Sequence, residues 1–264
     1  MMSRILRLSD GAAVRLLEAG QGAPLLLIHG VGLRAEAWAP QIAALSDGAR
    51  VIAVDMPGHG ESDALPGRPG LPDYVAWAAR VVEGLGLGPV SVAGHSMGAL
   101  IACGLAIDHP ALVRRVALLN GVHRRSPEAR AAVLARAEEI AAGKAGIDGP
   151  LARWFGPGDE AVRDRVALWL REVPPEGYAS AYRAFAEGDT IYAARMAEIR
   201  CPLLVLTGEN DGNSTPAMTE AMAAMVPRGR AVVIEGHRHM VNQTAPDRVT
   251  AELKRWLTPT EAAA

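Results

Sequence analysis

Six short apolar runs punctuate the chain after its first twenty residues: Leu25–Ile28, Val51–Val54, Val90–Ala93, Val116–Leu119, Leu203–Leu206 and Ala231–Ile234. They are near-continuously apolar rather than alternating, the pattern of strands covered on both faces of a parallel sheet. Ahead of them, Arg4–Leu8 and Ala13–Glu18 read as two strands of a hairpin around the turn Ser9-Asp10-Gly11. Stretches with helical spacing of apolar positions lie between several runs: Glu36–Leu45, Tyr74–Leu85, Met97–Ala106, Pro216–Met225 and Pro246–Trp256. Strand alternating with helix predicts an α/β fold, with a mostly parallel eight-stranded sheet and right-handed crossovers.

The rhythm stops after Asn120. From His123 to about Arg200 no stretch reads as a strand; helices are expected near Pro127–Ala142, Leu151–Phe155, Glu160–Glu172 and Pro175–Glu187. This pattern predicts a core of residues 1–122 and 200–264 with a helical cap, 123–199, inserted between two strands. Seven of the chain's eleven aromatics fall in the insertion: Trp154, Phe155, Trp169, Tyr178, Tyr182, Phe185 and Tyr192. They suit either the core of a small helical unit or the apolar ceiling of a substrate pocket.

Composition narrows the classes. At 264 residues, 50% hydrophobic and 21% charged, the chain can bury a full core. A net charge of −2 provides no field for nucleic acid or an anionic membrane. The N-terminus lacks a leader-like apolar stretch and no segment reaches transmembrane length, so the expectation is a soluble, cytoplasmic protein acting on a small molecule. Cys103 and Cys201 sit in apolar contexts and are expected as buried free thiols.

The most informative segment is Gly94-His95-Ser96-Met97-Gly98, directly after the run Val90–Ala93. A strand, a tight turn with serine at its apex and a departing helix lift the hydroxyl above the sheet and aim a helix N-terminus at it. A serine needs a base, and the base an orienting acid. Asp211, just past Leu203–Gly208, lies where active-site groups of open α/β sheets gather, with Glu209 as a rival nearer the strand. His237 and His239 both follow the last strand at the same edge. A His-x-His pair can bind metal, but no Cys/His- or Asp-rich partner segment accompanies it, so neither metal nor cofactor is expected. Donors for an oxyanion are expected from the backbone N–H of Met97 and of Val31 in the loop His29-Gly30-Val31-Gly32, with Gly32 as the near alternative to Val31.

Nearly end to end, the chain resembles the α/β-hydrolase superfamily. The resemblance is carried by His29-Gly30-Val31-Gly32, Asp55-Met56-Pro57-Gly58-His59-Gly60-Glu61-Ser62, Gly94-His95-Ser96-Met97-Gly98, Gly208-Glu209-Asn210-Asp211, and His239 with Pro246 seven residues on. It implies the triad order Ser96, Asp211, His239, and the proline spacing together with His239-Met240-Val241-Asn242 selects His239 over His237. Departures narrow the class. Dehalogenases and epoxide hydrolases of this fold carry Asp where Ser96 stands. The C–C hydrolases usually carry Asn and Trp where His95 and Met240 stand.

What remains resembles capped serine esterases and enol-lactonases. The expectation is therefore hydrolysis of an ester or lactone of a small, largely apolar substrate through an acyl-enzyme, EC 3.1.1 chemistry. Two alternatives stay open: a C–C hydrolase of a vinylogous diketone, and a small-molecule sensor on the same fold, distinguishable by single turnover.

Overall fold

The computed structural model describes residues 1–258. Its eight strands are β1 (Met2–Arg7), β2 (Ala13–Ala19), β3 (Ala23–Ile28), β4 (Ala49–Val54), β5 (Val90–His95), β6 (Val113–Leu119), β7 (Leu203–Gly208) and β8 (Gly229–Ile234). They form one sheet in the order β1-β2-β4-β3-β5-β6-β7-β8. The β1–β2 and β2–β4 pairs are antiparallel; the other pairs are parallel. The expected α/β architecture and strand count are those observed. The strands extend two or three residues beyond the apolar runs, in part because polar residues such as Arg50 and Arg115 are tolerated at the strand starts.

Helices cover both faces. On one side α2 (Leu71–Leu85) and α3 (Met97–Asp108) pack on Leu26, Ile52, Val92 and Val116. On the other, α1 (Ala39–Leu45) and the C-terminal helix Pro246–Leu257 pack on Leu25, Leu27, Val51 and Leu204. Alternate residues of one strand thus feed opposite cores, which is why the runs had to be continuously apolar. The helix expected over Glu36–Leu45 is split: a short 3-10 turn, Ala35–Trp38, hands over to α1 with Pro40 in its first turn.

Between β6 and β7 lie α4 (Pro127–Ala141), α5 (Asp148–Trp154), α6 (Glu160–Glu172) and α7 (Pro175–Gly188). They sit above the carboxyl ends of the parallel strands. A third cluster, including Leu33, Leu151, Phe155, Leu170 and Met240, fastens this segment to the loops at that edge. After β7 come α8 (Pro216–Ala224) and, past β8, α9 (Val241–Thr244) and α10, the helix Pro246–Leu257.

Candidate active site

The turn at the end of β5 is shaped by what its glycines leave out. A Cβ at Gly94 would overlap the Gly98 carbonyl, and one at Gly98 would overlap the Ile28 carbonyl, so β5, α3 and β3 meet at backbone contact. Ser96 at the apex holds φ 55°, ψ −115°, a conformation that L-residues avoid and that the surrounding packing imposes. It is buried to 7% exposure, lines the main cavity and stands at the N-cap of the twelve-residue helix α3.

Asp211 and His239 come from the loops after β7 and β8. His239 Nδ1 donates to Asp211 Oδ2 at 2.8 Å, and both side chains are almost wholly buried. The carboxylate is held on both oxygens. Oδ2 also accepts from Asn120 Nδ2 at 2.8 Å, while Oδ1 accepts from the backbone N–H of Asn213 (2.8 Å) and Ser214 (3.1 Å). Burial pushes this carboxyl up. The charge and hydrogen bond of His239, with the Asn120 and Asn213 donors, outweigh it and hold Asp211 below the ordinary carboxylate range. With Nδ1 committed, Nε2 is the ring nitrogen left for proton transfer, and His239 lines the same cavity as Ser96. The rivals are engaged elsewhere: Glu209 accepts from the Gly236 N–H at 2.9 Å, and His237 Nδ1 lies 2.9 Å from Thr244 Oγ1.

Two contacts went unread in the sequence. His95 Nε2–H donates to the backbone carbonyl of His239 at 2.9 Å, tying the serine turn to the histidine loop. Trp154 of α5 stacks on the His239 ring, with centroids 5.6 Å apart at 30°. Neither was visible without the tertiary arrangement, since each joins segments far apart in the chain.

The loop after β3 is fixed by two histidines. His59 Nε2 accepts from the Gly32 N–H at 3.0 Å and His29 Nε2 from the Met56 N–H at 2.9 Å. Their Nδ1–H groups donate to the carbonyls of Pro57 (3.1 Å) and Gly30 (2.7 Å), so each ring is used in full as the neutral tautomer. Gly32, weighed as an oxyanion donor, has therefore spent its N–H on His59. The N–H groups of Val31 and Met97 make no hydrogen bond among the described residues, and Val31 lines the cavity beside Gly30 and Ser96. Two unpaired donors flanking one hydroxyl can receive an anionic oxygen.

The cavity above Ser96 measures about 500 Å³. Of the seven aromatics of the insertion, Trp154, Tyr178, Tyr182 and Phe185 line it. Phe155 and Trp169 instead pack in the cluster that fastens the insertion down, and Tyr192 packs near α3, its hydroxyl donating to Asp108. The lining is less apolar than expected: Arg125, Arg136, Arg153 and Glu139 share it. The near-neutral total charge hid this cluster, because arginines from three parts of the insertion meet only on folding. Cys103 is buried, its thiol pushed up to about 12 by burial, whereas Cys201 is only half-buried. Among the described residues no group of His, Cys, Asp and Glu is placed to hold a metal ion, and no helix is long and apolar enough to cross a membrane.

The chain is 50% identical, over 98% of its length and all of the other's, to (E)-2-((N-methylformamido)methylene)succinate hydrolase of Acinetobacter baylyi. It is 29% identical to 2-(acetamidomethylene)succinate hydrolase of Mesorhizobium japonicum, over 87% of this chain and 86% of that one. Among solved structures, the enol-lactonase of Burkholderia xenovorans superposes with a TM-score of 0.88 at 27% identity, covering 97% of this chain and 100% of that one. Residues 25–252 match the alpha/beta hydrolase family. The chain belongs to that family and is a hydrolase by kinship and fold.

Proposed function

We propose that this chain is a serine hydrolase of a small dicarboxylate that bears an N-acyl group on a conjugated alkene carbon, and that it cleaves the acyl–nitrogen bond. The observation that carries the reading is the relative at 50% identity and full coverage, a hydrolase of an N-methylformamido methylene succinate. The acetamidomethylene succinate hydrolase supports it with the same arrangement of acyl group, alkene and two carboxylates. This moves the reading away from ester and lactone hydrolysis, which the enol-lactonase supports at 27% identity. Of the two alternatives, the C–C hydrolase of a vinylogous diketone is the nearer, because the relative's substrate also carries a departing group conjugated to an alkene. In such a molecule the departing group is conjugated to an electron-withdrawing alkene, as in C–C hydrolysis of a vinylogous diketone. A nitrogen whose lone pair is drawn into that system resists acyl transfer less than an ordinary amide nitrogen.

The groups then take these roles. Ser96 Oγ attacks the acyl carbonyl while His239 Nε2 takes its proton, with Asp211 holding the ring. The oxyanion rests on the N–H groups of Val31 and Met97, each contributing roughly 3 kcal/mol to lowering the barrier. The nitrogen departs with the proton from His239, and water cleaves the acyl-Ser96 ester by the reverse path. Residues 123–199 act as a lid that closes the cavity over the reacting atoms.

The test is a rate comparison of (E)-2-((N-methylformamido)methylene)succinate with p-nitrophenyl acetate, an enol-lactone and a vinylogous diketone. The reading expects formate and (methylamino)methylenesuccinate from the first substrate, with the highest kcat/KM of the four; the enamine then releases methylamine by hydrolysis of its own C–N bond in water. A higher value for the ester or lactone restores the esterase reading, and a higher value for the diketone assigns C–C hydrolysis.

A further inference from the structure

Resting on the reading of the site as a hydrolase of a conjugated dicarboxylate, we infer that the insertion carries a carboxylate anchor. Arg125, Arg136 and Arg153, which line the cavity beside Tyr182, hold the two carboxylates of a short dicarboxylate and so place its acyl group at Ser96.

The cavity has a reactive floor and a cationic ceiling. Ser96, His239 and Val31 belong to the loops at the sheet edge, whereas the arginines belong to the turn before α4 (Arg125), to α4 (Arg136) and to α5 (Arg153). Three guanidinium groups face one lining carboxylate, Glu139, leaving an excess of two positive charges that matches a dianion. With Lys absent from the wall, all the cationic groups are planar forks suited to bidentate carboxylate binding.

Arg125 is the most fixed of the three. Its side chain is 4% exposed and ion-paired to the buried Asp189 at 3.4 Å. Nη1 donates to the carbonyls of Phe185 (3.3 Å) and Ala186 (3.4 Å), and the guanidinium carbon lies 4.4 Å from the Phe185 ring centroid. Nη2 has no partner. A buried guanidinium with a spare donor is costly in a pocket meant for an apolar ligand, and that cost is offset when an anion arrives. Asp189 does not neutralise Arg125 fully, because it also binds Arg130 at 2.5 Å. Arg136 leaves Nε unpartnered; its Nη1 stands 3.7 Å from Glu139, while Nη2 donates to the Gly146 carbonyl. Arg153 makes no ion pair among the described residues. The three charges also converge on one phenol: burial pushes the Tyr182 hydroxyl up, and Arg136, Arg125 and Arg153 each pull it back.

The experiment titrates the Ser96→Ala protein with methylenesuccinate, a dicarboxylate without an acyl group, by calorimetry. Arg153→Gln and Arg136→Gln are added singly, with exposed Arg163→Gln as the control and a thermal melt on each variant. Each cavity variant is expected to weaken binding about tenfold or more and to flatten its salt dependence, with the control unchanged. In the Ser96 parent, the preference of kcat/KM for the dianionic substrate over its dimethyl ester is expected to fall to a similar degree, mainly through KM. Binding that survives both substitutions overturns the inference, as does an equal loss for diacid and diester. Arginine-dependent binding of methylenesuccinate without turnover of any N-acyl substrate would keep the anchor and reject the proposed reaction. Turnover undiminished in Arg153→Gln and Arg136→Gln would keep the reaction and reject the anchor.

Discussion

Lowering the pH from 7.5 to 5.5 should cost this protein about 4 kcal/mol of folding stability through three histidines alone. His29, His59 and His95 are each completely buried, and burial is the main reason their rings are held low, at about 4, about 3 and about 3. Neighbouring charge adds to it: His29 on His59, and His239 on His95. The hydrogen bonds give the structural cause, because Nε2 of His29 and of His59 must accept from a backbone N–H, which a protonated ring cannot do.

The sign follows from which state binds more protons. In the unfolded chain these rings titrate near 6.5, while in the folded protein they stay neutral to about pH 4. Between those values the unfolded state therefore holds the extra protons, and stability falls as the pH falls. One ring contributes RT ln(1 + 10^(6.5 − pH)), about 1.4 kcal/mol at pH 5.5, so three contribute about 4 kcal/mol. That is a large fraction of a typical domain's total. Urea unfolding followed by tryptophan fluorescence at the two pH values measures it directly, and the slope with urea should not change. Carboxylates scarcely titrate over this interval, so they do not imitate the effect. In His59→Gln, whose side-chain oxygen can still accept from Gly32, about a third of the loss should vanish. A difference below ~1 kcal/mol between the two pH values would refute the reasoning, since it would require rings that are solvated or already charged in the folded state.

Other expectations concern the catalytic groups. Asp211→Asn should lower kcat by about 10³–10⁴ with little change in melting temperature, whereas Glu209→Gln, which holds only the Gly236 amide, should cost less than about tenfold; the reverse order would move the acid to Glu209. His239→Ala should be inactive in steady-state assays while His237→Ala retains most turnover, and an inactive His237→Ala beside an active His239→Ala would shift the base by two residues. His95→Ala removes the donor to the His239 carbonyl and should reduce kcat about 10- to 100-fold at nearly constant KM. An unchanged kcat there would show that the histidine loop holds its place unaided.

The fold was legible because its signals are local. The six parallel strands announce themselves by near-continuous apolar runs, and the serine turn by glycines whose missing side chains let three elements touch. The positions of the loops past β7 and β8 pointed to the segments of Asp211 and His239, while the choice of His239 over His237 came from the proline spacing of the family resemblance. What escaped depends on contacts between distant segments. Asn120, marked in the sequence only as the point where the strand–helix rhythm stops, anchors the carboxylate of Asp211; His59, inside the Asp55–Ser62 motif, fixes Gly32. The short helix α9 was missed because four residues carry too little periodicity to announce a helix. The arginines of the cavity escaped for a plainer reason: spaced along an insertion without a motif, they converge only when α4 and α5 pack over the sheet edge.

Acyl transfer to Ser96 is the step on which everything else depends. The most direct measurement mixes wild-type enzyme in molar excess with (E)-2-((N-methylformamido)methylene)succinate labelled with carbon-13 in the formyl group, quenches in acid at successive times within a single turnover, then digests and weighs the peptide containing Ser96. The proposed chemistry expects the label on Ser96 as a formyl ester, absent in Ser96→Ala. A Ser96 peptide that carries the dicarboxylate skeleton, or no substrate carbon while the isolated wild-type enzyme releases labelled formate, would contradict it.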